Sequence, residues 1–289
     1  MASVDILESE LKAMGKVVVA FSGGVDSSFL AFMANRVLGT ENALAVTAVS
    51  PSLGEEELEY CRRLALLWGL RWRAEPTFEM EDPRYVANDL FRCYYCKLEL
   101  MSVLSRIARD ERATVVLGTN LDDLKEHRPG QRAALEGGAR FPLVDAAFTK
   151  ADVRNISREL GVEVCNKPAA ACLASRVPHD TPVTVEILSS VHKAEHALKS
   201  LGFQQVRVRH HGELARLELP AEELEMAVRH RMEIVRFIRD AGYSYVTLDL
   251  QGYRSGSLDE PFLRRGENIS QSRQEAVLLK ESSPTEQKG

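Results

Sequence analysis

Two short runs in this chain carry residue types that do chemistry. Ser22-Gly23-Gly24-Val25-Asp26-Ser27-Ser28 follows an apolar run, 17–21, and leads into a helical pattern beginning near Asp26. A buried parallel strand that turns sharply into a helix leaves several backbone N–H groups pointing outward. Those donors and the helix dipole together make an anion site. Gly23 and Gly24 let the backbone approach a phosphate without a Cβ in the way. Ser22, Ser27 and Ser28 add hydroxyl donors, and Asp26 can help to hold Mg²⁺. The run lacks the Gly-Lys-Ser/Thr ending of a Walker A loop, and it is not G-x-G-x-x-G. The second run is Cys93-x-x-Cys96, flanked by Arg92 and Lys97.

In a reducing compartment a C-x-x-C pair is half of a zinc site, a redox pair or half of an iron–sulfur site. The chain has five cysteines. Cys61 falls on the apolar stripe of a helix and reads as a core residue. No second C-x-x-C exists, so the four ligands of a zinc ribbon are missing. Placed before a helix and beside Arg92 and Lys97, Cys93 and Cys96 are expected to have lowered pKa values. Three thiolates, Cys93, Cys96 and Cys172, can hold a cubane [4Fe–4S] cluster with one iron open to a ligand such as sulfide. Cys165 competes for the third place. The loop around Cys172 is small-residue-rich and polar-flanked, whereas Val162 and Val164 make Cys165 read as part of a buried strand.

The elements that position these runs alternate. After the loop, Phe29, Met33 and Val37 mark a helix face that ends at Gly39. Residues 43–49 form a second apolar strand, 55–68 a helix, 71–78 a candidate strand. A helix follows the C-x-x-C and runs to about Arg109, and 113–117 is a further strand. This alternation predicts an α/β fold, a doubly wound parallel sheet with ligands beyond the carboxyl ends of its strands. Ser22, Ser50 and Gly118 sit at three such ends. His127-Arg128-Pro129-Gly130 reads as a mobile loop over the site, and 150–160 as a helix. From Thr184 the pattern becomes helix (184–201), strand (204–209), strand (213–219), helix (221–241), strand (244–249), with a turn at His211-Gly212. The expected organisation is a nucleotide domain over 1–165, a linker over 166–183 carrying Cys172, a smaller α+β domain over 184–260 and a disordered tail over 268–289.

The 289 residues suit two domains, and 45% hydrophobic with 27% charged residues is an ordinary globular balance. No apolar run approaches the ~20 residues of a membrane span. The acidic, amphipathic N-terminal stretch does not read as a signal peptide, so a cytoplasmic protein with reduced thiols is expected. A net charge of −5 disfavours nucleic acid as a stable partner.

The Ser22–Ser28 run resembles the pyrophosphate loop (PP-loop) of the N-type ATP pyrophosphatases. Taken with 92–97 (Arg-Cys-Tyr-Tyr-Cys-Lys), 118–123 (Gly-Thr-Asn-Leu-Asp-Asp), 128–130 (Arg-Pro-Gly), 171–176 (Ala-Cys-Leu-Ala-Ser-Arg), 206–210 and 248–257, it resembles the LarE family over nearly the whole chain to about residue 260. Those are ATP-dependent sulfur transferases that help to build the nickel-pincer nucleotide cofactor of lactate racemase. The resemblance implies a pyridinium dicarboxylate mononucleotide as substrate, adenylated by ATP on a ring carboxylate and then attacked by sulfur to leave a thiocarboxylate. One variant of the family sacrifices the sulfur of the cysteine matching Cys172. The other has three cysteines and carries labile sulfide on a cluster. Cysteines at both C-x-x-C positions make this chain resemble the cluster variant, and the resemblance supports Cys172 over Cys165.

The loop residues 22–28, with Gly118 and Asp122, are then the expected ATP site. Asp122 assists Asp26 with Mg²⁺ or caps the turn. Lys97 beside the cysteines can hold a substrate carboxylate or phosphate. Ser175 and Arg176 can grip the mononucleotide phosphate. Arg207 and Arg209 alternate along a strand and share a face, either an anion site or a solvated face. Glu195 balances these charges or binds metal, though from sequence alone an ordinary surface glutamate is the better reading. The partners expected are the mononucleotide, sulfide or a sulfur donor, and further copies of the same chain in a homo-oligomer. A tRNA thiolase of the same superfamily, an ammonia-using synthetase and a non-catalytic iron–sulfur carrier or nucleotide-binding regulator are the rival readings.

Overall fold

The computed structural model describes residues 2–125, 129–167, 171–254, 256–258 and 260. The chain divides into two compact units. The first takes in 1–82 and 93–172, the second 83–92 and 173–289.

The first unit is built on a four-stranded parallel sheet: β1 (Val17–Ala20), β2 (Ala43–Val49), β3 (Arg71–Pro76) and β4 (Thr114–Val116), in the order β3-β2-β1-β4. Val18 pairs with Leu44 on one side and Val115 on the other, so β1 is central. Successive side chains of a strand point to opposite faces. Val17 and Val19 enter a core with Phe29, Leu30, Met33, Leu7 and Leu11. Val18 enters the opposite one with Leu44, Val46, Leu104 and Ile107. Burial on both faces explains why β1 reads as an unbroken apolar run and β2 as one interrupted only by the buried Thr47. Helices Val4–Met14, Val25–Leu38 and Lys150–Glu159 serve the first core, and helix Arg92–Glu111 the second. This is the α/β architecture that the alternation predicts.

The second unit holds a mixed three-stranded sheet, β5 (Arg207–His211), β6 (Leu214–Glu218) and β7 (Tyr245–Leu248), with β5 antiparallel and β7 parallel to β6. Gly212 takes φ +63° in the β5–β6 turn. Helices Val185–Ser200 and Arg231–Asp240 close its core through Ala194, Leu198, Ile234 and Ile238.

Three local expectations change. The helix expected over 221–241 is divided into a 3₁₀ turn Ala221–Glu223, helix Leu224–Arg229 and helix Arg231–Asp240, with His230 at the break. The strand expected around Cys165 is a 3₁₀ turn, Glu163–Asn166, its chain turned by the neighbouring Gly161 at φ +69°. The cysteine pair lies inside the first turns of helix Arg92–Glu111 and not ahead of it. Glu126, His127, Arg128, Pro168–Ala170, the side chain of Cys165 and the tail beyond 260 lie outside the described residues, and with them the expected mobile loop at His127-Arg128 and the expected disorder.

Candidate active site

β1 stops at Ala20 and helix Val25–Leu38 starts five residues later, with Gly24 as its N-cap. The Ser27 hydroxyl holds the turn closed. It accepts the Ser22 N–H (3.2 Å), donates to the Gly24 carbonyl (3.2 Å) and lies 3.1 Å from the Ser22 hydroxyl. Ser28 is fully buried, and its hydroxyl has no hydrogen-bond partner among the described residues. Gly23 has φ +68°, and a Cβ there would fall 2.8 Å from the Cys61 sulfur packed beneath it. Cys61 is 0% exposed, and burial pushes its thiol up to about 11, in keeping with a core cysteine. Gly118, just past β4, is required for a different reason. A Cβ there would lie 2.7 Å from the Ser27 nitrogen and 2.8 Å from the Asp26 carbonyl carbon. Only glycine lets the end of β4 run against the start of this helix.

Acidic residues gather at that crossing. The Asn120 side-chain oxygen accepts the N–H groups of Asp122 (2.9 Å) and Asp123 (3.2 Å), shaping the turn. Asp122 accepts the Lys150 N–H at 2.9 Å and so heads helix Lys150–Glu159. Asp123 is ion-paired to Lys150 at 3.1 Å. The Asp26 carboxyl is pushed above its ordinary value, chiefly by burial and next by the charge of Asp123, while Asn120, Lys150 and Arg154 pull the other way. Asp123 is therefore the carboxylate whose charge acts on Asp26. Two repelling carboxylates beside a phosphate loop fit Mg²⁺, which takes one or two carboxylates and completes its shell with substrate phosphates and water.

Cys93 and Cys96 stand at i, i+3 on one helix, with Cys93 exposed and Cys96 half-buried. The Cys96 thiol is raised, by burial first and then by the charges of Cys172 and Glu79. The expected lowering is overturned at Cys96, because burial outweighs the neighbouring Lys97. Lys97 itself is lowered by burial, with Cys96 and Cys93 opposing. Cys172 is exposed and within electrostatic range of Cys96. Among the described residues no three His, Cys, Asp or Glu side chains stand close enough to hold a metal ion. In kind, three thiols with an ammonium to offset their charge are a donor set that suits an iron–sulfur cluster.

In the second unit, the Arg176 guanidinium is bound to Glu195 at 2.8 and 2.9 Å, and its Nη1 donates to the Ser175 hydroxyl at 3.0 Å. Glu195 is 3% exposed, which overturns the surface-glutamate reading. Arg209 donates through Nε and Nη2 to Glu218 (2.9 and 2.7 Å) and through Nη1 to the Ser175 carbonyl. Glu218 also accepts from Arg216 and Ser257. Arg207 donates to the Val206 carbonyl and lies 5.4 Å from the Tyr253 ring centroid. Its pKa is lowered by burial and then by the charge of Arg176. The face shared by Arg207 and Arg209 is not a solvated one. Buried Glu195 holds Arg176, and buried Glu218 holds both Arg209 and Arg216.

A family model described as NAD synthase matches residues 1–91, the part of the chain that contains the loop. An uncharacterized protein of Synechocystis is 44% identical over 264 residues, covering 88% of this chain and 98% of its own length. The NH₃-dependent NAD⁺ synthetase of Chlorobaculum tepidum is 31% identical over 179 residues, 59% of this chain and 63% of its own. The pyridinium-3,5-bisthiocarboxylic acid mononucleotide synthase of Lactiplantibacillus plantarum is 38% identical over 255 residues, 88% of this chain and 92% of its own. The chain belongs to the LarE-like PP-loop family.

LarE-like proteins are ATP-dependent sulfur-inserting enzymes, and a glycine-containing turn into a helix at the carboxyl end of β1 suits that class. Among the described residues no helix is long and apolar enough to cross a membrane. Asn120, Asp123, Lys150 and Arg154 were not singled out from sequence. The Gly118–Asp123 string contains the first two, but only the fold shows which of its carboxylates acts on Asp26.

Proposed function

We propose that this LarE-like enzyme adenylates a carboxylate of a pyridinium dicarboxylate mononucleotide and replaces the carboxylate oxygen with sulfur. The observation that carries the reading is the grouping in one unit of a PP-loop with paired acids and a cysteine set, in which Cys93 and Cys96 act on the Lys97 ammonium and Cys172 acts on Cys96. The 38% identity to a synthase of that product class supports the substrate. The loop amides and Ser22, Ser27 and Ser28 receive the β- and γ-phosphates, and Asp26 with Asp123 would hold Mg²⁺. The substrate carboxylate attacks the α-phosphorus, the α–β P–O bond breaks and pyrophosphate leaves. Sulfide then attacks the acyl carbon, the acyl C–O bond to AMP breaks, and a thiocarboxylate remains. Lys97, its ammonium partly desolvated, neutralises the carboxylate as it approaches. In the second unit, Arg207 is the cation offered to the substrate phosphate, with Arg176, Arg209 and Ser175 fixing its surroundings.

Cys93, Cys96 and Cys172 would hold a [4Fe–4S] cluster, whose chemistry when bound is to carry a labile sulfide. Anaerobically reconstituted protein should contain roughly four irons per chain and turn over repeatedly when sulfide is supplied. Ala at any of the three positions should remove the iron. The exposure of Cys172 favours a second reading, in which its own Cβ–S bond breaks and dehydroalanine remains. A single turnover, with Cys172 lighter by the mass of hydrogen sulfide, would establish that reading instead. Thiolation of tRNA but not of the mononucleotide would reject both.

A further inference from the structure

Lys167 precedes Cys172 by five residues, and nothing in the sequence singled it out. Its ammonium donates to the Gly23 carbonyl at 3.2 Å and to Glu57 Oε2 at 2.6 Å. It sits 3.7 Å from the centroid of the Tyr60 ring, with 14% of its side chain exposed. An ion pair with Glu57 alone would not require the reach to Gly23. A trans peptide is planar, so its C=O and N–H point to opposite sides. Holding the Gly23 oxygen toward Lys167 therefore turns the Gly24 N–H away from it. That N–H stands at the N-cap of helix Val25–Leu38, among the donors an anion would use. Gly23, at φ +68°, has the freedom to take other conformations, and the Ser27 hydroxyl secures the opposite end of the same turn at Ser22 and Gly24. At the other end of Lys167, its backbone carbonyl accepts from Arg154 at 3.3 Å, and the charge of Arg154 also acts on Asp26. Both ends of this lysine thus lead back to the loop.

We propose that Lys167 is a positioning residue of the PP-loop, holding the Gly23–Gly24 peptide in the orientation that receives pyrophosphate, with Glu57 and Tyr60 holding its ammonium in place. This rests on the loop being the ATP site. The test compares wild type, Lys167→Met and Lys167→Arg by calorimetric binding of a non-hydrolysable ATP analogue and by hydrogen exchange at the loop amides. Lys167→Met should bind the analogue about tenfold more weakly, the scale of one lost charge-assisted bond, and in the analogue complex its Gly24 and Val25 amides should exchange faster. Lys167→Arg, which can still reach a carbonyl, should recover most of the affinity and the protection. A melting point in Lys167→Met within a few degrees of wild type would show that the fold itself is intact. Unchanged affinity and exchange in Lys167→Met would overturn the proposal, as would loss of both in Lys167→Arg to the same extent. Wild-type protein that fails to bind the analogue would overturn the loop's role and this proposal together. If wild type binds the analogue but never thiolates the mononucleotide, only the sulfur-transfer reading fails, and the comparison of variants still decides the role of Lys167.

Discussion

Arg176 and Glu195 face each other as two forks, Nε to Oε1 and Nη2 to Oε2, with 4% of each side chain exposed. Glu195 Oε1 also accepts the Val208 N–H at 2.9 Å. One carboxylate thereby links the 3₁₀ turn Leu173–Arg176, helix Val185–Ser200 and β5. Removing one member of a buried pair leaves the other charge uncompensated and costs about 3–5 kcal/mol. Glu195→Gln and Arg176→Met should each lower unfolding free energy by that order in urea titrations. The double variant should lose less than the two combined. Additive losses would show that the charges do not depend on each other.

Arg207 separates substrate binding from stability better than Arg209 does. Arg209 is tied to Glu218 and Ser175, so its loss also orphans a buried carboxylate. Arg207→Ala should raise the KM for the mononucleotide more than tenfold, the scale of a charge-assisted bond at about 1.5–3 kcal/mol, and leave ATP-analogue affinity unchanged. An unchanged KM would remove Arg207 from the substrate site.

Gly118→Ala tests the crossing of β4 and helix Val25–Leu38. The added methyl meets backbone at Asp26 and Ser27, which cannot swing aside as a side chain can. AMP formation should fall by at least about 100-fold, in line with the cost of a roughly 1 Å misplacement. The melting temperature should fall as well. Wild-type AMP formation in this variant would show that the crossing is wider than the structure has it.

Stability in acid should depend on Glu111. Its carboxylate receives Arg71 through both terminal nitrogens and Lys16 at 2.9 Å, and these bonds hold its pKa down to about 2. A depressed carboxyl stabilises the fold above its unfolded pKa of about 4.5, and that contribution fades as pH falls toward 2. Glu111→Gln should cost roughly 0.5–1 kcal/mol at pH 7, less in high salt. The gap from wild type should close progressively below pH 4.5. A gap that stays constant to pH 2 would assign the loss to packing.

Thiol labelling should follow exposure. In metal-free protein at pH 8, iodoacetamide should reach Cys93 and Cys172 while Cys61 stays unmodified until urea unfolds the chain. Cys61 is wholly buried, and its thiol is raised to about 11, so almost none is thiolate. Labelling of Cys61 in the native protein at the rate of Cys93 would mean that the floor of the loop opens.

The strand-to-helix turn at Ser22–Ser28 was legible because its signal is local: an apolar strand, two glycines and a helix start within a dozen residues. The cysteines were legible by type, yet their surroundings were not. Cys96 is raised by a burial that depends on how helix Arg92–Glu111 packs, and flanking charges gave the opposite expectation. Glu195 was misread because its partner Arg176 comes from a turn 19 residues earlier. Lys167 was invisible for the same reason in stronger form, since its partners lie 110 and 144 residues away. The break at His230 has no proline or glycine to announce it.

The segment 83–92 is grouped with the second unit although the chain on both sides of it belongs to the first. Asn88, fully buried at φ +58°, donates from its amide to the carbonyls of Pro178 (2.7 Å) and Thr181 (2.8 Å), and the Arg92 guanidinium donates to the Ala174 carbonyl (2.8 Å). The C-terminal half therefore cannot be excised as a self-contained piece. A protease cut after residue 172 would leave this inserted strip clamped on the fragment it was meant to release. The two products should stay together on a sizing column in native buffer and part only in denaturant.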